Sequence, residues 1–183
     1  EEPTEPNDLV VHEWGTFLAM QGSDGVSLDG MYHEEHALPG FVHSRARDQL
    51  RIRSIRMKGE TPVIYFYTKK PQPVSVSVGF PAGIWTQWYP QASRVAPGLA
   101  VLGSELEPRA GQISWAVDVL PAGDSVNSPS LQATSEDALW NFARDVEAAS
   151  VRTRDRAARR QSQEVERFIF YRGLGRAKLP IEM

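Results

Sequence analysis

Val74-Ser75-Val76-Ser77-Val78-Gly79-Phe80 is the stretch that decides how this chain is read. Its apolar and small polar residues alternate with a period of two. A helix would scatter the valines around its circumference, whereas an extended strand gathers them with Phe80 on one dry face and leaves the serines wet. Pro81-Ala82-Gly83 follows at once, and the same triplet recurs as Pro121-Ala122-Gly123 after the run Ile113 to Leu120. In both, proline pre-sets φ and glycine relieves the exit from a tight turn.

The same logic extends outward. Pro62-Val63-Ile64-Tyr65-Phe66-Tyr67-Thr68 is rich in β-branched and aromatic residues, with proline only at its first position, where a strand tolerates it. From Leu9 to Met20 one face would carry Val10, His12, Trp14, Thr16 and Leu18, and the other Leu9, Val11, Glu13, Gly15 and Phe17. Ile84 to Tyr89, Leu99 to Leu102 and Val165 to Tyr171 read as further strands, with Trp14 and Trp88 expected in the core. Short strands punctuated by turns predict an all-β fold: an antiparallel β-sandwich, jelly-roll-like in one version, with at most one or two short helices. One stretch differs. Ser135 to Ala149 has an N-cap residue, acids in its first turn, and Leu139, Phe142, Ala143, Val146 and Ala149 at helical spacing, which predicts an amphipathic helix.

Bulk properties narrow the class. At 183 residues, 41% hydrophobic and 23% charged, the chain can bury a core without staples. Residues 9–183 are expected to form a single sandwich domain behind an acidic, flexible spacer at 1–8, with an Arg-rich, mobile insertion at 152–160. No apolar run reaches the ~18 residues of a membrane-spanning helix, so no membrane span is expected. Cysteine is absent, which excludes disulfides and thiolate metal sites within these residues. Nine acids and no Lys or Arg fall in the first 44 positions, followed by Arg45, Arg47, Arg51, Arg53, Arg56 and Lys58. With net charge −3 there is no overall basic field, and nucleic acid is not an expected partner.

Val11-His12-Glu13-Trp14-Gly15-Thr16-Phe17 resembles the opening of a family of uncharacterised exported bacterial proteins marked by this signature. Leu38-Pro39-Gly40-Phe41-Val42-His43, Glu60 to Tyr67, Trp88-Tyr89-Pro90 and Arg167 to Gly173 are similar to that family in the same order. The resemblance implies a signal peptide upstream, more chain beyond Met183, and a periplasmic or cell-surface location in a Gram-negative-type bacterium. It implies no activity. Against the helix reading above, it implies extended chain over Trp140 to Val151.

Three constellations carry chemistry. His12, His33, His36 and His43, with Glu13, Glu34 and Glu35 beside them, are candidate ligands for a divalent metal such as zinc. Glu13 lies among apolar residues on its face, so a buried ion pair with Arg167 or Arg172 is expected, or a general acid in a desolvated site. Trp85 and Tyr89 share a face of one strand and are candidates for stacking on a sugar or a protein partner. Nucleophile-elbow, P-loop and dinucleotide-binding motifs are all missing. The leading expectation is therefore a non-catalytic binding or scaffolding module of the cell envelope. A metal-dependent hydrolase or metal binder, and a carbohydrate-binding module, are the alternatives.

Overall fold

The computed structural model describes residues 8–24, 26, 28, 38–45, 57–59, 62–97, 111–123, 130–135, 138–154 and 163–175. Along the chain run β1 (Val10–Trp14), β2 (Phe17–Ala19), β3 (His43–Ser44), β4 (Met57–Gly59), β5 (Val63–Tyr67), β6 (Gln72–Phe80), β7 (Gly83–Tyr89), β8 (Arg94–Ala96) and β9 (Gly111–Leu120). They are followed by the helix α1 (Trp140–Arg144), β10 (Ser150–Thr153), β11 (Val165–Glu166) and β12 (Ile169–Gly175). The expected strand over 99–102, His33 and His36, residues 1–7 of the spacer and residues 155–160 of the Arg-rich segment lie outside the described residues.

These strands form two antiparallel sheets. In the five-stranded sheet, β9 pairs with β6 along its length and with β8 and β10 on its other edge, and β11 adds to β10. The valines of the opening motif face inward, where Val74, Val76 and Val78 stand opposite Val117, Trp115 and Ile113. In the seven-stranded sheet, β12 is central. It pairs with β7 on one side and with β5 and then β4 on the other; β3 lies beyond β7, β1 beyond β5, and β2 beyond β4. Leu9 to Met20 is thus two strands, not one. The break at Gly15-Thr16 lies beside Pro62, which has no N–H to donate to a ladder.

The inner faces of the two sheets make the main core: Ile64, Phe66, Trp85, Trp88, Ile113, Trp115, Val117, Val119, Ile169 and Tyr171 among others. A second core forms on the outer face of the seven-stranded sheet. There Tyr65, Tyr89, Phe168 and Phe170 are covered by Trp140, Ala143, Val146 and Ala148 and by Leu38, Phe41 and Val42. Each apolar side chain fully buried in this way contributes roughly 1.5–3 kcal/mol.

A β-bulge decides which aromatic goes where. Trp85 pairs with Gly173 but Gln87 with Arg172, so Thr86 is an extra residue on β7 and donates from Oγ1 to the Arg172 carbonyl at 3.1 Å. Gly173 is required here, because a Cβ would stand 2.8 Å from the Ile84 carbonyl oxygen. The extra residue inverts the alternation: Trp85 and Trp88 both face the inner core, and Tyr89 turns to the outer one. The expected shared face of Trp85 and Tyr89 does not form.

The helix expected over 135–149 shrinks to Trp140–Arg144, with Leu139 at its N-cap, no side-chain cap and no acid in its first turn. Its buried residue is Trp140, while Leu139 and Phe142 are 56% and 71% exposed. Strand pairing ends it: Ala149 N donates to the Phe66 carbonyl at 2.8 Å, and Ser150–Thr153 joins β9. Tertiary pairing overrides the helical pattern.

Candidate functional site

Trp14, Val63, Phe170 and Tyr89 stand in register across β1, β5, β12 and β7, so they form one row on the outer face of the seven-stranded sheet. Above this row the outer core leaves a cavity of about 820 Å³. Val63, Phe168, Phe170 and Arg172 form its sheet-side wall, and Ala133 to Ser135 with Ala138, Leu139, Trp140 and Ala143 form another. Leu38-Pro39-Gly40 and Trp14-Gly15-Thr16 complete it. Four of the five quoted segments, those beginning at Val11, Leu38, Glu60 and Arg167, thus contribute to the wall, though they are remote in sequence.

The chain over 138–149, here called the strap, is tied down by polar bonds. Glu166 is fully buried on β11. Its carboxylate accepts from Trp140 Nε1 at 2.9 Å, from Arg144 Nη2 at 2.7 Å and from the Arg167 backbone N–H at 2.9 Å. Arg144 also donates to the Gln132 carbonyl at 2.8 Å, Arg167 Nη1 to the Arg144 carbonyl at 2.9 Å, and Tyr65 Oη to the Ala143 carbonyl at 3.0 Å. The Trp140 ring, held by its N–H, packs on Phe168 and Phe170 with centroids 5.0 and 5.1 Å away. Burial, with the charges of Glu164 and Glu166 adding to it, pushes the Tyr89 hydroxyl well above the ordinary phenol range. Tyr65 shifts the same way, from burial first and then from Tyr67 and Glu166.

The lining is mostly apolar and aromatic. Its polar side chains among the described residues are Thr16, Thr134, Ser135 and Arg172. Thr134 Oγ1 donates to Asn141 Oδ1 at 2.6 Å, which steadies the wall at the start of α1. Arg172 is buried, donates from Nη1 to Gln87 Oε1 at 3.2 Å and lies with its Cζ 5.8 Å from the Phe170 ring centroid. No histidine, aspartate, glutamate or lysine is among these described lining residues, whose one charged side chain is Arg172. No family model, curated protein or solved structure significantly matches the chain. The site's chemistry is therefore argued from its own geometry.

The residues expected from sequence fall elsewhere. His12 is exposed on β1 and meets the edge of Tyr67, with ring centroids 5.1 Å apart. His43 lies on β3 and places Nε2 2.8 Å from Glu164 Oε1, while Glu164 Oε2 accepts the Gln91 N–H at 2.6 Å. Strands β1 and β3 are four sheet positions apart, roughly 19 Å, so no single ion takes both histidines. Among the described residues no cluster of three ligating side chains occurs.

Glu13 does face the inner side, but β1 is an edge strand and the carboxylate is exposed. Its partner is the Tyr171 hydroxyl, while Arg167 serves the strap and Arg172 lines the cavity. The buried acid with an arginine partner expected at Glu13 occurs at Glu166, with Arg144. Trp85 and Tyr89 are 5% and 0% exposed, so neither presents a face to a sugar. Trp14, expected in the core, is 68% exposed at the cavity rim.

Proposed function

We propose that this chain is a non-catalytic binding module of the bacterial cell envelope and that it holds a small apolar ligand in the cavity beside Trp140. One observation carries the reading: a space of about 820 Å³ on the outer sheet face, walled by five separate stretches of the chain and fastened by a buried ion pair. That volume falls within the range of sites that enclose drug-sized ligands. The lack of any general base among the described lining residues favours binding over turnover. The envelope location rests on the resemblance to exported proteins. No helix among the described residues is long and apolar enough to cross a membrane.

The test uses N-phenyl-1-naphthylamine, a neutral dye that brightens in apolar surroundings. The protein is expected to bind it saturably with one-to-one stoichiometry, and Ala138→Trp, which fills the cavity from the strap side, is expected to abolish the signal. Unsaturable binding, or equal binding by a folded Ala138→Trp variant, would refute the cavity reading. Fractionation of cells producing the full-length protein checks the location, and recovery from the cytosol would overturn it.

A further inference from the structure

We infer that β1 joins two copies of this chain edge to edge, antiparallel, with the two-fold axis passing through His12. The inference goes beyond the cavity reading and stands without it.

The strand itself comes first. β1 lies at the end of the seven-stranded sheet and pairs only with β5 among the described residues, in an unbroken register of five residues. Its far edge therefore offers backbone N–H and C=O groups that another strand can take up. All five residues are exposed. Three of the nine exposed large apolar side chains among the described residues, Val10, Val11 and Trp14, crowd onto this one strand. A free edge is ordinarily blunted by brevity, proline, lysine or a bulge. The other edges follow that rule: β2 and β8 have three residues, β3 and β11 two, and the longer β6 carries Pro73. Val10-Val11-His12-Glu13-Trp14 has no proline, no lysine and no bulge. An edge left regular and apolar is one that gains by pairing.

Self-complementarity selects a second copy as the occupant. Full antiparallel overlap of two such strands sets His12 opposite His12, Val10 opposite Trp14 and Val11 opposite Glu13, and symmetry forms each of the last two pairs twice. On the outer face the valine–tryptophan pairs are a favourable cross-strand combination. They carry the row Trp14–Val63–Phe170–Tyr89 across the axis. On the inner face Glu13, the strand's one acid, falls opposite a valine and keeps the Tyr171 hydroxyl as its partner. No carboxylate opposes a carboxylate, and the strand has no lysine or arginine. Five residue pairs on each side make a small interface, so the association is transient and dilute protein is monomeric.

The experiment uses the absence of cysteine, because a single introduced thiol then reports one distance. Opposed Cα atoms lie roughly 4.5–5.5 Å apart, inside the disulfide range, whereas a self-pair two residues out of register lies about 8 Å apart, beyond it. Under mild oxidation His12→Cys is expected to give a disulfide-linked dimer about tenfold faster than Val11→Cys. Val10→Cys and Trp14→Cys should each crosslink slowly alone and quickly when mixed. All four side chains are exposed, so the variants should keep the fold. Sedimentation gives a second readout. The unaltered protein should dimerise as concentration rises, and His12→Lys, which sets two ammonium groups face to face, should weaken that association several-fold. Equal crosslinking rates at all four positions would overturn the inference. So would a monomer at every concentration, which would leave the edge to a strand from another protein. Neither result touches the cavity reading, which the neutral dye tests separately.

Discussion

The two faces of the seven-stranded sheet are buried by different means. On the inner face a second sheet supplies its own apolar rows, in which Val76 stands beside Trp115 and Val78 beside Ile113, and Trp115 meets Tyr171 of the facing sheet at 6.1 Å between ring centroids. On the outer face the cover is a one-turn helix and irregular chain, held by the Glu166–Arg144 pair, Trp140 Nε1 and the Tyr65 hydroxyl. Interdigitated rows fill space. A strap pinned at a few polar points leaves some of it open, and the cavity lies on the pinned side. The inner face supplies global stability in this comparison, and the outer face is the part free to specialise.

The largest expected effect breaks the inner face. Trp115 is 1% exposed in the main core, and its Nε1 donates to the Pro90 carbonyl at 2.8 Å. Trp115→Ala should cost about 4 kcal/mol and shift one cooperative denaturant transition seen alike by far-UV dichroism and by fluorescence. Separate transitions for the two probes would mean that the inner face does not govern the whole fold.

Next comes the pin. Glu166→Ala strands the Arg144 guanidinium and the Trp140 N–H, and removing one partner of a buried pair costs about 3 kcal/mol. Here the loss should be local. Limited proteolysis is expected to cut within 138–149 under conditions where the sheets remain intact, and the variant should lose the dye signal. Cleavage that tracks global unfolding would show that the strap has no separate stability.

How much of this was legible follows the same division. The strands β5, β6, β7 and β9 were readable because a sandwich core imposes period two, and the inner valines obey it. The bulge at Thr86 was not readable, since it depends on Gly173 on a strand some 90 residues away. It sent Trp85 inward and made the expected stacking platform impossible. Trp140 was missed because helical spacing pointed Leu139 and Phe142 at the core, while the outer sheet face selected the tryptophan instead. The rule that a carboxylate among apolar strand residues needs an arginine was sound but was applied to Glu13. Applied to Val165-Glu166-Arg167-Phe168 it would have found the pin. The cavity itself is built largely from turns and the break at Gly15, which carry no periodic signal.

Alkaline pH separates the faces more finely. Burial and the hydrogen bond to Glu13 raise the Tyr171 hydroxyl far above its ordinary value on the inner side, and burial raises Tyr89 on the outer side. A phenol with a raised folded-state pKa binds its proton longer when folded, so its stabilising contribution is complete below the unfolded value of about 10 and is lost as pH rises beyond it. Each tyrosine should then remove about 1.4 kcal/mol per pH unit above 10. Either phenylalanine variant should flatten that slope by one tyrosine's share. At neutral pH the two should diverge. Tyr171→Phe forfeits a hydrogen bond and costs about 1 kcal/mol. Tyr89→Phe removes a buried hydroxyl with no partner among the described residues, and should be neutral or mildly stabilising.

The smallest change in stability should accompany a large change in binding. Trp14 is 68% exposed on an edge strand, so Trp14→Ala should alter the unfolding free energy by less than about 0.5 kcal/mol. Yet its side chain begins the row Trp14–Val63–Phe170 that floors one side of the cavity. A ligand stacked there covers indole surface that the folded protein alone leaves wet, and that area counts toward binding and not toward folding. Titration of N-phenyl-1-naphthylamine is therefore expected to show several-fold weaker binding with an unchanged melting temperature. The reverse result, a destabilised protein with intact affinity, would move Trp14 from the ligand site to the fold and place the open face of the sheet somewhere other than the strap side.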